Sequence, residues 1–166
     1  LKHSGKEKIF LVGTSEMQSE IEKNGIEVTE KSPDAIVVGF DTELTYSKLK
    51  TASLLNQRGI PLILAHPDKF CPTNRGKIPD AGSIIHSIVE TTKNEPKKIC
   101  GKPNEEMIST KIGNKENFLV IGDRLSTDIK LAENTESKSI CVLSGDTSRL
   151  DVEKSSLKPD LVLRNI

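Results

Sequence analysis

Asp123 and Asp128 stand five residues apart, where the apolar run Phe118 to Ile121 gives way through Gly122 to a segment with helical spacing. In an open parallel sheet ligands bind beyond the carboxyl ends of the strands, so a strand ending in Gly-Asp can bring a carboxylate to a ligand. Two carboxylates converging across such a turn suit one hard cation, and magnesium commonly takes one or two carboxylates with phosphate and water completing its shell. The same residues have plainer uses, because aspartate is favoured in turns and at helix N-caps. A second short strand, Lys98 to Cys100, ends in Gly101-Lys102-Pro103. Proline is at home in a first helical turn. An ammonium beside a helix start, where anions are favoured, can hold a phosphate and the charge that builds on an attacking group. A loop lysine is more commonly a solvated charge, so this tripeptide alone is a weak signal.

The elements that must position these groups follow a regular rhythm. Ile9 to Val12 reads as a strand closed by Gly13, and Ser15 to Asn24 as a helix with Ser15 and Gln18 as a capping box and Gly25 as its stop. A strand over Ala35 to Phe40 leads to a helix over Leu44 to Arg58, with Leu44, Leu49, Ala52 and Leu55 inward, and then to a strand over Ile60 to Ala65. His66 to Pro79, with three prolines and a glycine, reads as a loop. A second series follows: helix Ala81 to Val89, strand Lys98 to Cys100, helix Pro103 to Ile112, buried strand Phe118 to Ile121, helix Asp128 to Glu133 and strand Ile140 to Leu143. Near-continuous apolar strands are those of parallel sheets buried on both faces. Their alternation with helices predicts α/β layers with right-handed crossovers.

Bulk properties narrow the function classes. The 166 residues carry 24 lysines and arginines against 24 aspartates and glutamates, so no net field draws the chain to nucleic acid or an anionic membrane. No apolar run approaches the roughly 20 residues of a membrane helix. Cys71, Cys100 and Cys141 are odd in number, far apart and lack a CxxC spacing, which argues against both a disulfide framework and a zinc site. A reducing, cytoplasmic setting is expected. The chain opens on Leu1 rather than methionine, which reads as a processed, truncated or partly recorded protein.

Taken together, Gly101-Lys102-Pro103 and, about twenty residues on, Gly122-Asp123-Arg124-Leu125-x-Thr127-Asp128-Ile129 resemble the third and fourth motifs of the haloacid dehalogenase (HAD) phosphatases. The subgroup resembled is that of 4-nitrophenylphosphatases, phosphoglycolate phosphatases and the bacterial nucleotide phosphatase NagD. Val142-Leu143-Ser144-Gly145 and Lys158-Pro159-Asp160-Leu161-Val162 resemble the end of that family's core, and Ser32 to Gly39 a strand entry in its inserted cap. The resemblance implies an α/β fold: an α/β cap of parallel-strand βα units over 1–80, and over 81–166 the C-terminal part of a HAD-like Rossmannoid core. It implies that Lys102 pairs with the nucleophile and the transferring phosphoryl group, and that Asp123 and Asp128 bind magnesium. Ala65-His66-Pro67-Asp68 aligns with the cap loop that faces substrate, usually Thr-Asn-x-Asp, so His66 and Asp68 are expected to bind substrate, His66 as a departure from asparagine. The other histidines, His3 and His86, read as structural.

The reaction implied is magnesium-dependent hydrolysis of a small phosphorylated metabolite. A carboxylate attacks phosphorus, and water hydrolyses the aspartyl phosphate. The family draws that nucleophile from a DxD pair near its N-terminus, and no such pair occurs in these 166 residues. The expectation is therefore that the attacking group lies upstream of Leu1 and that the chain alone is inactive. A homodimer through the cap is also implied. Two other readings remain open: a non-catalytic HAD-like binding or interaction module, and a flavodoxin-like domain that resembles the phosphatases by chance.

Overall fold

The computed structural model describes residues 8–105, Ile108 and 118–166. The chain divides into two compact units, residues 1–100 and 101–166.

In the first unit, β1 (Lys8–Val12), β2 (Glu27–Val28), β3 (Ala35–Val38), β4 (Leu62–Leu64) and β7 (Lys98–Ile99) form a parallel sheet in the order β2-β1-β3-β4-β7. Side chains alternate between the faces of a strand, and here both faces are covered. Phe10, Val12, Ile36, Val38, Leu62 and Leu64 meet Ala52 and Leu55 of α2 (Tyr46–Gln57) and Ala81, Ile84, Ile85 and Ile88 of α3 (Ala81–Thr92). Ile9, Leu11, Ala35, Val37 and Ile63 form the opposite core, against Met17 and Ile21 of α1 (Ser15–Lys23). Two-sided burial explains why these strands are uninterrupted apolar runs.

Several local expectations are corrected. The N-cap of α1 is Thr14, whose hydroxyl accepts from the Met17 amide at 3.3 Å. Ser15 has turned outward and donates to the Glu43 carboxylate at 2.9 Å. Helix α2 starts after Thr45, which caps the Lys48 amide. That leaves Leu44, expected inward, 38% exposed ahead of the helix. The 66–79 loop contains an antiparallel hairpin, β5 (Phe70–Thr73) and β6 (Gly76–Pro79). Proline is tolerated there because each strand has a partner on one side only. By contact the first compact unit runs to residue 100, because the apolar stripe of α3 is buried in its core.

One buried ion pair ties the strand ends of this unit together. Lys48 Nζ lies 2.9 Å from Asp41 Oδ2, whose side chain is fully buried, and also donates to the Gly13 carbonyl at 2.8 Å. Replacing Lys48 with alanine strands that carboxylate without its counter-charge. The expected result is a loss of about 3 kcal/mol in chemical denaturation, most of it recovered when Asp41→Asn is added.

The second unit holds a three-stranded parallel sheet in the order β10-β9-β8: β8 (Leu119–Gly122), β9 (Lys138–Val142) and β10 (Leu161–Leu163). A π-helical turn over Leu125–Ile129 runs into α4 (Lys130–Asn134), and α5 (Arg149–Lys154) precedes β10. Ile129, Cys141 and Val152 form its small core. Strand β8 was expected to be buried. Among the described residues it pairs with β9 alone, and Leu119 and Ile121 are 49% and 45% exposed. The helix expected over 103–112 lies mostly outside the described residues. No described helix is long and apolar enough to cross a membrane.

Candidate functional site

Strands β8 and β9 are parallel neighbours, with Ile121 opposite Ile140 and Gly122 opposite Cys141. The segments that leave their carboxyl ends therefore emerge side by side. Asp123 leaves β8, and its Oδ2 accepts the Asp146 amide at 2.8 Å from the segment after β9. The Thr147 amide donates to the Asp123 carbonyl at 3.1 Å. Gly145 permits this approach: a Cβ there would lie 2.0 Å from Asp123 Oδ2. Across the same turn, Arg124 Nε reaches Asp146 Oδ2 at 3.5 Å.

Asp128 was expected at a helix start and lies instead inside the π-helical turn. Its side chain folds back so that Oδ2 accepts the Arg124 amide at 3.2 Å, and its residue is only 3% exposed. Lys102 supplies the counter-charge, with Nζ 2.5 Å from Asp128 Oδ1. Gly122 provides the room, since a Cβ on it would sit 2.1 Å from Asp128 Cγ. Burial pushes the Cys141 thiol up from its usual range, and the negative fields of Asp123 and Asp128 add to the shift. The Cys141 thiol, in β9, thus feels both carboxylates. The structure brings together Lys102 and Asp128 directly, with Asp123 on the adjoining turn.

Two carboxylates supply hard oxygen donors, the chemistry a magnesium ion prefers, and a lysine beside them can receive an anion. His66 and Asp68 belong to the first unit, where His66 lies between Asp68 and Asp80. Asp80 is not among the residues the sequence singles out; its N-cap position before α3 carries no sequence sign of a histidine partner. Gly145 and Asp146 were likewise missed as parts of the site. Their signal was a Gly-Asp pair just past a second strand of a parallel sheet, the same pattern as Gly122-Asp123.

The HAD-hydrolase-like family model matches residues 99–166. The D-glycerol 3-phosphate phosphatase of Mycobacterium tuberculosis is 32% identical over 149 residues, covering 87% of this chain and 42% of that protein. A 4-nitrophenylphosphatase structure from Thermotoga maritima superposes with a TM-score of 0.92 at 43% identity, over 99% of this chain and 65% of its own. The glycerol phosphate phosphatase of Mycobacterium tuberculosis in complex with magnesium superposes with a TM-score of 0.82 at 30% identity, over 93% and 49% of the two chains. The chain thus spans between 42% and 65% of the length of these relatives. A parallel α/β fold shared with phosphatase structures, together with a family match running through Lys102, Asp123 and Asp128, assigns this chain to the HAD-like hydrolases, in the subgroup of 4-nitrophenylphosphatases and NagD-like proteins.

Proposed function

We propose that this chain forms the cation-holding and phosphate-holding side of a phosphate monoester hydrolase acting on a small phosphorylated metabolite. The observation that carries the reading is the packing of Asp123 and Asp128 around one turn, with Lys102 2.5 Å from Asp128 Oδ1. In this reading Asp123 and Asp128 hold magnesium, which when bound neutralises charge on the phosphoryl oxygens. Lys102 receives the transferring phosphoryl group; its side chain is 44% exposed and so accessible to a ligand. The Asp146 amide and the Arg124 amide fix the two carboxylates, so little reorganisation is needed when an anion arrives. The attacking carboxylate comes from a DxD pair, which these 166 residues do not contain, and we place it in the part of the related chains that this sequence does not span.

The test is hydrolysis of 4-nitrophenyl phosphate by the full natural protein. Turnover is expected with magnesium, to fall to background in EDTA, and to return when magnesium is restored. Full turnover in EDTA would reject the reading. The exposed apolar edge at Leu119 and Ile121 favours one other reading, a non-catalytic module that pairs through β8, since such edges invite strand addition. Absence of any phosphatase activity together with self-association lost on Ile121→Lys would favour that module.

A further inference from the structure

His66, Asp68 and Asp80 each place one donor atom so that the three lie within 4.8 Å of one another. His66 follows β4 and Asp68 follows it by two residues, while Asp80 is the N-cap of α3, its Oδ1 accepting the Ala81 amide at 2.6 Å. The imidazole lies between the carboxylates: Nε2 is 3.4 Å from Asp80 Oδ1, and Nδ1 is 3.7 Å from Asp68 Oδ2. Nδ1 is buried and has no hydrogen-bond partner. An orphaned buried nitrogen is costly unless something binds it.

The surrounding backbone is fixed. The Gly82 amide donates to the Asp68 carbonyl at 2.8 Å, and the Asp80 amide to the Lys69 carbonyl at 3.1 Å. The Ser83 hydroxyl donates to the same Lys69 carbonyl at 2.5 Å. A Cβ at Gly82 would come within 2.4 Å of the Pro67 carbonyl, so the loop is pressed onto the first turn of α3. The donors are therefore set by main-chain contacts and not by mobile side chains alone.

Two carboxylates flank the imidazole, one nearer each ring nitrogen, and this concentration of negative charge beside an unpartnered nitrogen favours a bound cation. A mixed nitrogen and oxygen set suits zinc and similar first-row ions, whereas magnesium favours oxygen alone. We infer that His66, Asp68 and Asp80 form a binding site for a divalent transition-metal ion of the zinc class. The site goes beyond the phosphatase reading, because neither Lys102 nor Asp123 takes part in it.

The experiment is a calorimetric titration of the metal-free chain with zinc chloride in excess magnesium, which saturates sites built of oxygen donors. One zinc ion is expected to bind per chain. Affinity is expected to fall about 100-fold or more in His66→Ala and in Asp68→Asn, and to be retained in Asp123→Asn. Absence of zinc binding by the unaltered chain, or full affinity in His66→Ala, overturns the site. Nitrogen NMR of the unaltered chain guards against a misfolded variant: zinc is expected to shift the His66 Nδ1 resonance, and an unmoved resonance at saturating zinc also overturns it. Loss of zinc binding leaves the magnesium-dependent hydrolysis test untouched, so the two readings fail separately.

Discussion

Asp123→Asn in the full natural protein is expected to lower kcat/KM for phosphate monoesters by about 1000-fold, the scale of losing a principal electrostatic group at a reacting centre. Asparagine keeps the shape of the side chain, and its carbonyl oxygen can still accept the Asp146 amide now bound by Asp123 Oδ2 at 2.8 Å. The fold should therefore survive, and the change should act through the lost charge. Two measurements separate these effects. Thermal melting without magnesium should be nearly unchanged, while magnesium is expected to raise the melting temperature of the unaltered protein and not that of the variant, since a ligand stabilises only what it binds. Turnover equal to that of the unaltered protein would remove Asp123 from the site.

Gly122→Ala is expected to be a strongly damaging single-methyl addition in the second unit. The new Cβ would stand 2.1 Å from Asp128 Cγ and 2.5 Å from its Oδ2, where carbon atoms normally sit roughly 3.5 to 4.0 Å apart. The carboxylate must move, and moving it breaks its contacts with Lys102 and the Arg124 amide. A destabilisation of about 2 to 4 kcal/mol is expected in urea denaturation, with phosphatase activity lost alongside. The demand is for space rather than an unusual backbone, so the overlap can be relieved from the other side. In an Asp128→Gly background, which also removes the Asp128 Cβ that the new methyl would meet at 2.4 Å, Gly122→Ala should cost little, a coupling that a double-mutant cycle reads directly. Additive costs would show that Gly122 acts by some route other than its contact with Asp128.

The sheet of the first unit was legible because its chemistry is local. Ile9 to Val12, Ala35 to Val38 and Leu62 to Leu64 are apolar on consecutive residues, as burial on both faces requires. The β5–β6 hairpin was not, since prolines and polar residues carry no period-2 pattern and its pairing depends on cross-strand partners. The cap of α1 was misplaced by one residue because Thr14 and Ser15 are both good caps. The loop from Glu43 decides between them by taking the Ser15 hydroxyl. Likewise α3 carries an apolar stripe that any core could accept, and its docking on β3 and β4 put it with the first unit.

By itself the sequence determined the α/β alternation, the placing of Lys102 and Asp123 just past the ends of successive strands, and the family. Each depends on runs and spacings a few residues long. The tertiary structure decided which groups meet: Lys102 with Asp128 across 26 residues, Asp123 with the Asp146 amide across 23, and His66 between Asp68 and Asp80. The pairing of β8 with β9 brings the Asp123 and Asp146 turns together, and the pressing of the 66–69 loop onto α3 brings His66 to Asp80. Contacts of that span depend on how whole elements pack, and no local spacing encodes them.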